Sequence, residues 1–205
     1  MDLVVRSAWA GCAGSSARAA AALDAIVARY GEPHRRYHGV GHLERVVADV
    51  VALAGSESLD DRGVVIAAAF FHDAVYDPRS ASNEADSARL AGQVLRDLGW
   101  TEERISEVGR LVLATATHAV ERPGDAVLLD ADLAVLGAEP AAYETYVHGV
   151  RAEYAHVDDH QWQLGRAAVL RSFLERPVIF HTSTYRSRER RARANLAAEL
   201  SALAR

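Results

Sequence analysis

The chain has no lysine. All 23 of its basic residues are arginine, a compositional bias that assigns no function by itself. It has one cysteine, Cys12, which excludes an internal disulfide framework and a thiolate-built metal cluster. No stretch approaches the roughly 20 consecutive apolar residues of a membrane-spanning helix. The opening "MDLVVRSAWAGCAGSSA" lacks the apolar centre of roughly 7–15 residues that a secretory signal requires. There is no excess of positive charge either: the net charge of −5 gives no long-range attraction for nucleic acid or for an anionic membrane surface. Internal repeats, low-complexity linkers and shifts of composition are missing from the 205 residues, and half of those residues are hydrophobic. One cytoplasmic domain over 1–205, with a core at about 30–180 and terminal helices packed on it, is the expectation.

Alternation of apolar and polar residues is also missing, and that excludes half-buried strands. Apolar residues recur instead at three- and four-residue spacing among many alanines, so the predicted fold class is all-α. The first helix is expected over about 16–30, with Ala20, Leu23, Ile26, Val27 and Tyr30 on one face. A second is expected over about 40–54, with Leu43, Val46, Val47, Val50 and Leu53 aligned. A third opens at "SLDDRG" and carries the run "VVIAAAFF" into His72 and Asp73; it is expected to stop at "YDP", because Pro78 cannot continue it. The tail "SRERRARANLAAELSALAR" reads as a terminal helix whose arginines form a solvated face rather than a nucleic-acid footprint.

Chemistry enters where ionisable residues stand at positions that should be apolar. Burying a charge without a partner costs several kcal/mol or more, yet "FFHDAVYDP" places His72 and Asp73 directly behind eight apolar residues. His42 lies on the apolar face of the second helix. Asp132 falls on the stripe Leu128, Asp132, Val135 and Leu136, which turns it inward, whereas Asp130 is expected to face water or a neighbouring helix end. Two imidazoles and two carboxylates suit a divalent cation (Mn, Fe, Mg, Co, Ni or Zn; one ion or two) with coordination positions left for water and substrate. Taken singly, His42 could be a core histidine with a satisfied hydrogen bond and Asp132 the partner of a buried arginine.

The order His42 … His72-Asp73 … Asp132 resembles the H…HD…D signature of the HD-domain superfamily of metal-dependent phosphohydrolases. "HLERVV", "FFHDAVYD" and "DADL" are similar to the elements that carry the ligands in that family. "EPHRRYHGVGH", "NEADSA", "RAEY" and "RANLAAEL" extend the likeness to an uncharacterised bacterial subgroup of predicted HD phosphohydrolases, from about Tyr30 to Leu200. The resemblance implies a single-domain HD-type helical bundle with a metal site made by His42, His72, Asp73 and Asp132. It also implies hydrolysis of a phosphate ester of a small, nucleotide-like substrate by a metal-activated water. Relatives that cleave guanosine tetraphosphate carry HD-x-x-E-D; here Tyr76 replaces the glutamate and Asp77 remains. On a continuing helix Asp77 would share a face with Asp73, making it the candidate general acid or base, or else a helix-ending turn residue.

Substrate-binding candidates are His38, four residues before His42, and His118, which ends "ATATH" and could equally serve the C-terminal dipole of its own helix. Glu84, Arg36 and Arg151 complete the set, with Arg151 expected to pair with a nearby carboxylate. Two other functions fit the same motifs: a non-catalytic HD domain that senses a nucleotide or metal, and a di-iron oxygenase on the same scaffold. The expected partner is a small phosphorylated molecule rather than a membrane or nucleic acid, and a homodimer stays open.

Overall fold

The apolar run at 64–71 becomes the middle of the molecule. In the computed structural model, which describes residues 2–204, it forms a helix from which Val64, Val65, Ala67, Ala68, Ala69, Phe70 and Phe71 are all buried. Its three successive alanines let other helices approach closely from several sides.

The described residues form ten α-helices: α1 (Leu3–Ala13), α2 (Ala17–Tyr30), α3 (Val40–Ser56), α4 (Arg62–Phe71), α5 (Asn83–Asp97), α6 (Glu102–Ala114), α7 (Pro123–Asp132), α8 (Pro140–Glu153), α9 (Asp159–Leu174) and α10 (Glu189–Leu203). Two short 3-10 segments, Leu133–Gly137 and Tyr185–Arg188, lead into α8 and α10, and no strand occurs among the described residues. The all-α class follows as expected. Helices α1, α3, α5, α6 and α7 pack around α4, while α10 closes over α9 and the first 3-10 segment. That last approach is tight: a Cβ on Gly137 would lie 2.7 Å from Cβ of Arg188. No helix among the described residues is long and apolar enough to cross a membrane.

Three boundaries differ from the sequence reading. Helix α1, before the first helix expected, buries Val5, Ala8 and Trp9. Trp9 packs edge-on against Phe70 and Phe71 at centroid distances of 5.0 and 6.1 Å, and its indole N–H donates to the Ala19 carbonyl. Helix α4 stops at Phe71, with His72 at its C-cap, instead of running to "YDP". Helix α6 ends at Ala114, and His118 sits beyond it in a left-handed conformation with φ of 52°.

Candidate metal centre

Where α4 stops, its last backbone groups need partners from outside the helix. The Tyr30 hydroxyl donates to the Phe70 carbonyl and accepts from the Asp73 amide, both at 3.2 Å. Arg35, buried with its guanidinium against Tyr30 and Tyr76, donates to the carbonyls of Asp73 (2.6 Å), Ala74 (3.2 Å) and His38 (3.1 Å). Ser87 accepts from the Val75 amide and donates to its carbonyl. The turn after His72 is thereby pinned on three sides.

This turn, α3 and the end of α7 bring four side chains to one point. One ligand atom from each of His42, His72, Asp73 and Asp132 lies within 4.8 Å of all the others. Nε2 of His42 and Nε2 of His72 are 2.9 Å apart. Asp73 Oδ2 is 3.4 and 3.3 Å from these two nitrogens, and Asp132 Oδ1 is 3.3 and 3.7 Å from them. With bonds of about 2.1 Å, neighbouring ligand atoms of a tetrahedral or octahedral ion stand about 3.0–3.4 Å apart, so the donor set fits a single divalent ion. The His72 tautomer suits this too. Nδ1 lies 2.8 Å from the Ala69 carbonyl, which can only accept, so Nδ1 carries the proton and Nε2 is left for the centre.

Burial is uneven in a useful way. The imidazoles of His42 and His72 are 2% and 1% exposed, the carboxylates of Asp73 and Asp132 18% and 17%. The carboxylate side opens into a cleft of about 700 Å³ that Asp73, Asp132, His38, Glu84, His118 and Arg176 help to line. Burial opposes charge on His72, but Asp73 and Asp132 outweigh it and push its pKa up to about 9. Burial likewise opposes charge on the two aspartates, yet the histidines around them hold both below the usual carboxylate range. A metal must displace the His72 proton, so apparent metal affinity is expected to fall about tenfold per pH unit below pH 9. Calorimetric titration in buffers of different ionisation heat would read that proton; affinity independent of pH between 7 and 9 would contradict it.

No family model, curated protein or solved structure matches the chain. The site therefore rests on its own geometry.

The remaining sequence candidates divide. Asp77 does not share a face with Asp73: the chain has left the helix, and Asp77 is exposed, its carboxylate accepting from the Arg79 amide in a turn. Asp130 does not face water. It is buried and accepts from the amides of His181 and Thr182 and from the Thr182 hydroxyl, which ties α7 to the segment before α10. His118 reaches the centre, with Nε2 3.5 Å from Asp132 Oδ2. Its left-handed backbone, costly for a residue with a Cβ, is held by Arg176, which donates to the carbonyls of Thr117 and His118. Glu84 stands in the first turn of α5 and lines the cleft. Arg151 pairs with Asp159 at 2.7 Å and caps the carbonyls of Tyr154 and Val157. Arg36 is exposed and lines a different cavity.

Sequence reasoning passed over one residue of weight, Glu153. Its side chain is fully buried. One carboxylate oxygen accepts from three successive amides, Arg36, Tyr37 and His38, at 2.7, 2.7 and 2.9 Å. The other accepts from His38 Nδ1 at 2.7 Å and from the Tyr76 hydroxyl at 2.9 Å. Burial raises a carboxyl pKa, but the His38 bond and charge and these amides reverse the effect and hold Glu153 at about 2. Burial lowers the His38 pKa, and the bond to Glu153 with the nearby Asp73 raises it on balance. "RAEY" was the only sign of this residue in the sequence.

Proposed function

We propose that the chain is a metal-dependent phosphohydrolase that cleaves a phosphate ester of a small, nucleotide-like molecule. The observation that supports this best is the four-residue donor set, whose two carboxylates open to a cleft. The ordered H…HD…D likeness to HD-domain phosphohydrolases agrees with it, and the donor set is the one that likeness implies.

In this reading His42, His72, Asp73 and Asp132 hold the cation. When bound, the cation lowers the pKa of a water and offsets charge on the phosphoryl oxygens. The protein's own part is positioning. Asp73 and Asp132 face both the ion and the cleft, so they orient the attacking water. His38, aimed by Glu153 in the cleft wall, takes the proton-transfer role that the turn conformation removes from Asp77. Trp162, Phe173 and Val169 line the cleft with apolar surface, which suits the organic part of the ester.

The test is phosphate release from a panel of nucleotides and sugar phosphates with Mn, Co, Ni, Mg and Zn. Turnover that a chelator abolishes and one of these metals restores is expected. Tight nucleotide binding with no turnover under any metal would favour a sensor instead, and a visible iron absorbance with oxygen consumption would favour an oxygenase.

A further inference from the structure

A second cavity, of about 800 Å³, shares Tyr37, Asp132, Val135 and Tyr146 with the first cleft as a common wall. Tyr37 stands edge-on to Tyr146 at 4.7 Å and 4.9 Å from the ring of His42. The second cavity differs in charge. Arg36, Arg45 and Arg188 line it, and none of the three forms an ion pair among the described residues. Arg45 and Arg188 rest instead on the rings of Tyr37 and Tyr185, at 5.7 and 3.9 Å.

Two of the acids in the same wall are engaged elsewhere, and the third, Asp49, lies within the field of Arg45 and Arg188. Glu32 accepts from Arg35 at 3.1 Å, and Asp132 is turned to His42 and His118. Burial pushes the Asp49 carboxyl up, against the opposing pull of the Tyr185 hydroxyl, Arg188 and Arg45. Three guanidinium groups, none in a close ion pair and opposed in this wall by Asp49 alone, leave an excess of positive charge that suits a compact oxyanion, since their planar forks match phosphate oxygens two at a time. The first turn of α3 adds to what they define. Gly39 caps it without a side chain, and a Cβ on Gly41 would lie 3.4 Å from Nη1 of Arg45.

We propose that this second cavity, which adjoins the metal centre across His42 and Asp132, binds a phosphate-class anion gripped by Arg45 and Arg188 with Arg36 at its rim, without contact to the ion. The anion is either free phosphate or the second phosphate of a substrate whose first phosphate reaches the metal past Tyr37.

Inorganic phosphate titrated into the full chain by calorimetry, with metal and after chelation, tests the site without any turnover. One phosphate per chain that survives chelation is expected, with affinity at least tenfold weaker in the R45A/R188A double variant. Circular dichroism would check that this variant keeps its helices. Unchanged affinity in the variant overturns the site, and so does binding that vanishes with the metal, because the anion would then sit on the metal centre. Two ligands distinguish the sources in the metal-loaded protein. If adenosine 3′,5′-bisphosphate binds at least tenfold tighter than adenosine 5′-monophosphate and R45A erases the difference, the cavity takes the second phosphate of a substrate. If the two bind alike and phosphate still adds to the monophosphate complex, the cavity takes free phosphate.

Discussion

Asp73→Ala is expected to lose its metal and its turnover together. Asp73 Oδ2 is within 3.4 Å of both imidazole nitrogens and is one of only two carboxylates in the donor set. Outer partners of a metal ligand are worth about 10–100-fold in affinity, so removing a ligand itself should weaken binding by more than about 100-fold. Turnover that depends on the ion should fall by a factor on the order of 1000, as for loss of a group that stabilises developing charge directly. Elemental analysis after dialysis, beside phosphate release, checks both. Asp73→Asn separates charge from shape: it preserves the side-chain volume but lacks the negative charge that helps hold His72 protonated in the metal-free protein, so the His72 pKa should drop back from about 9. The competing explanation is a metal-free cluster of two histidines and two aspartates that neutralise one another. On that account the wild-type protein holds no ion after incubation with any of the metals, and a chelator leaves its melting temperature where it was. On the metal account, saturation with ion at about 100 times its Kd stabilises the fold by about 2.7 kcal/mol, and Asp73→Ala loses that increment.

How much of this could be read from the chain depended on how local each signal was. His42 and Asp132 announced themselves because an ionisable residue stood at an apolar position of a regular helix, and the 3.6-residue period could choose Asp132 over Asp130. Asp130 was legible only as a residue not on that stripe. Its actual partners, the amides of His181 and Thr182, lie some fifty residues away, and no spacing rule points to them. Asp77 shows the opposite error. The helical period was applied past the point where the helix ends, and the end is set by Tyr30, the last residue of α2, and Arg35, in the loop after it, taking hold of the backbone. Pro78 gave a stop signal several residues too late. Helix α1 was overlooked because its stretch has no acidic first turn and includes Gly11. Its stability comes from seating Trp9 on Phe70 and Phe71, a tertiary contact.

The same distinction explains why the loop 31–39 matters more than its composition suggests. "GEPHRRYHG" reads as a helix breaker that carries two candidate binding residues, Arg36 and His38. In the structure it supplies Arg35 to the turn of Asp73, His38 and Tyr37 to the cleft, and Gly39 to the start of α3, which carries His42. A loop of this kind has no hydrogen-bond ladder of its own, so its conformation has to be imposed from outside. Glu153 does much of that imposing, because three of the loop's amides converge on one of its oxygens.

Glu153→Ala is accordingly expected to have a large stability effect. It would leave the amides of Arg36, Tyr37 and His38 and the Tyr76 hydroxyl without their acceptor, and each buried donor so orphaned costs about 1–3 kcal/mol. Water entering from the cleft would recover part of this, so a net loss of about 3–5 kcal/mol is expected from chemical denaturation. Glu153→Gln preserves one acceptor oxygen for the amides but replaces the charge facing His38 with a neutral amide, and should lose about half as much. The pH dependence carries a definite sign. Glu153 titrates at about 2 in the fold against an ordinary 4.5. Its ionised form therefore contributes about 3 kcal/mol that is fully present above pH 4.5 and disappears as the pH falls towards 2. In Glu153→Gln the acid limb of the stability curve should be flatter over that interval by the same amount. His38 gives a second reading of opposite sense. Its pKa is raised with Glu153 in place, so the stability that it adds is present below its ordinary 6.5 and lost as the pH climbs through the folded value. A histidine C–H resonance titrating lower in Glu153→Gln than in the wild type would show that the carboxylate tunes His38. If that resonance did not move while stability fell, Glu153 would be a clasp for the loop alone, and the proton-transfer role of His38 would lose its support.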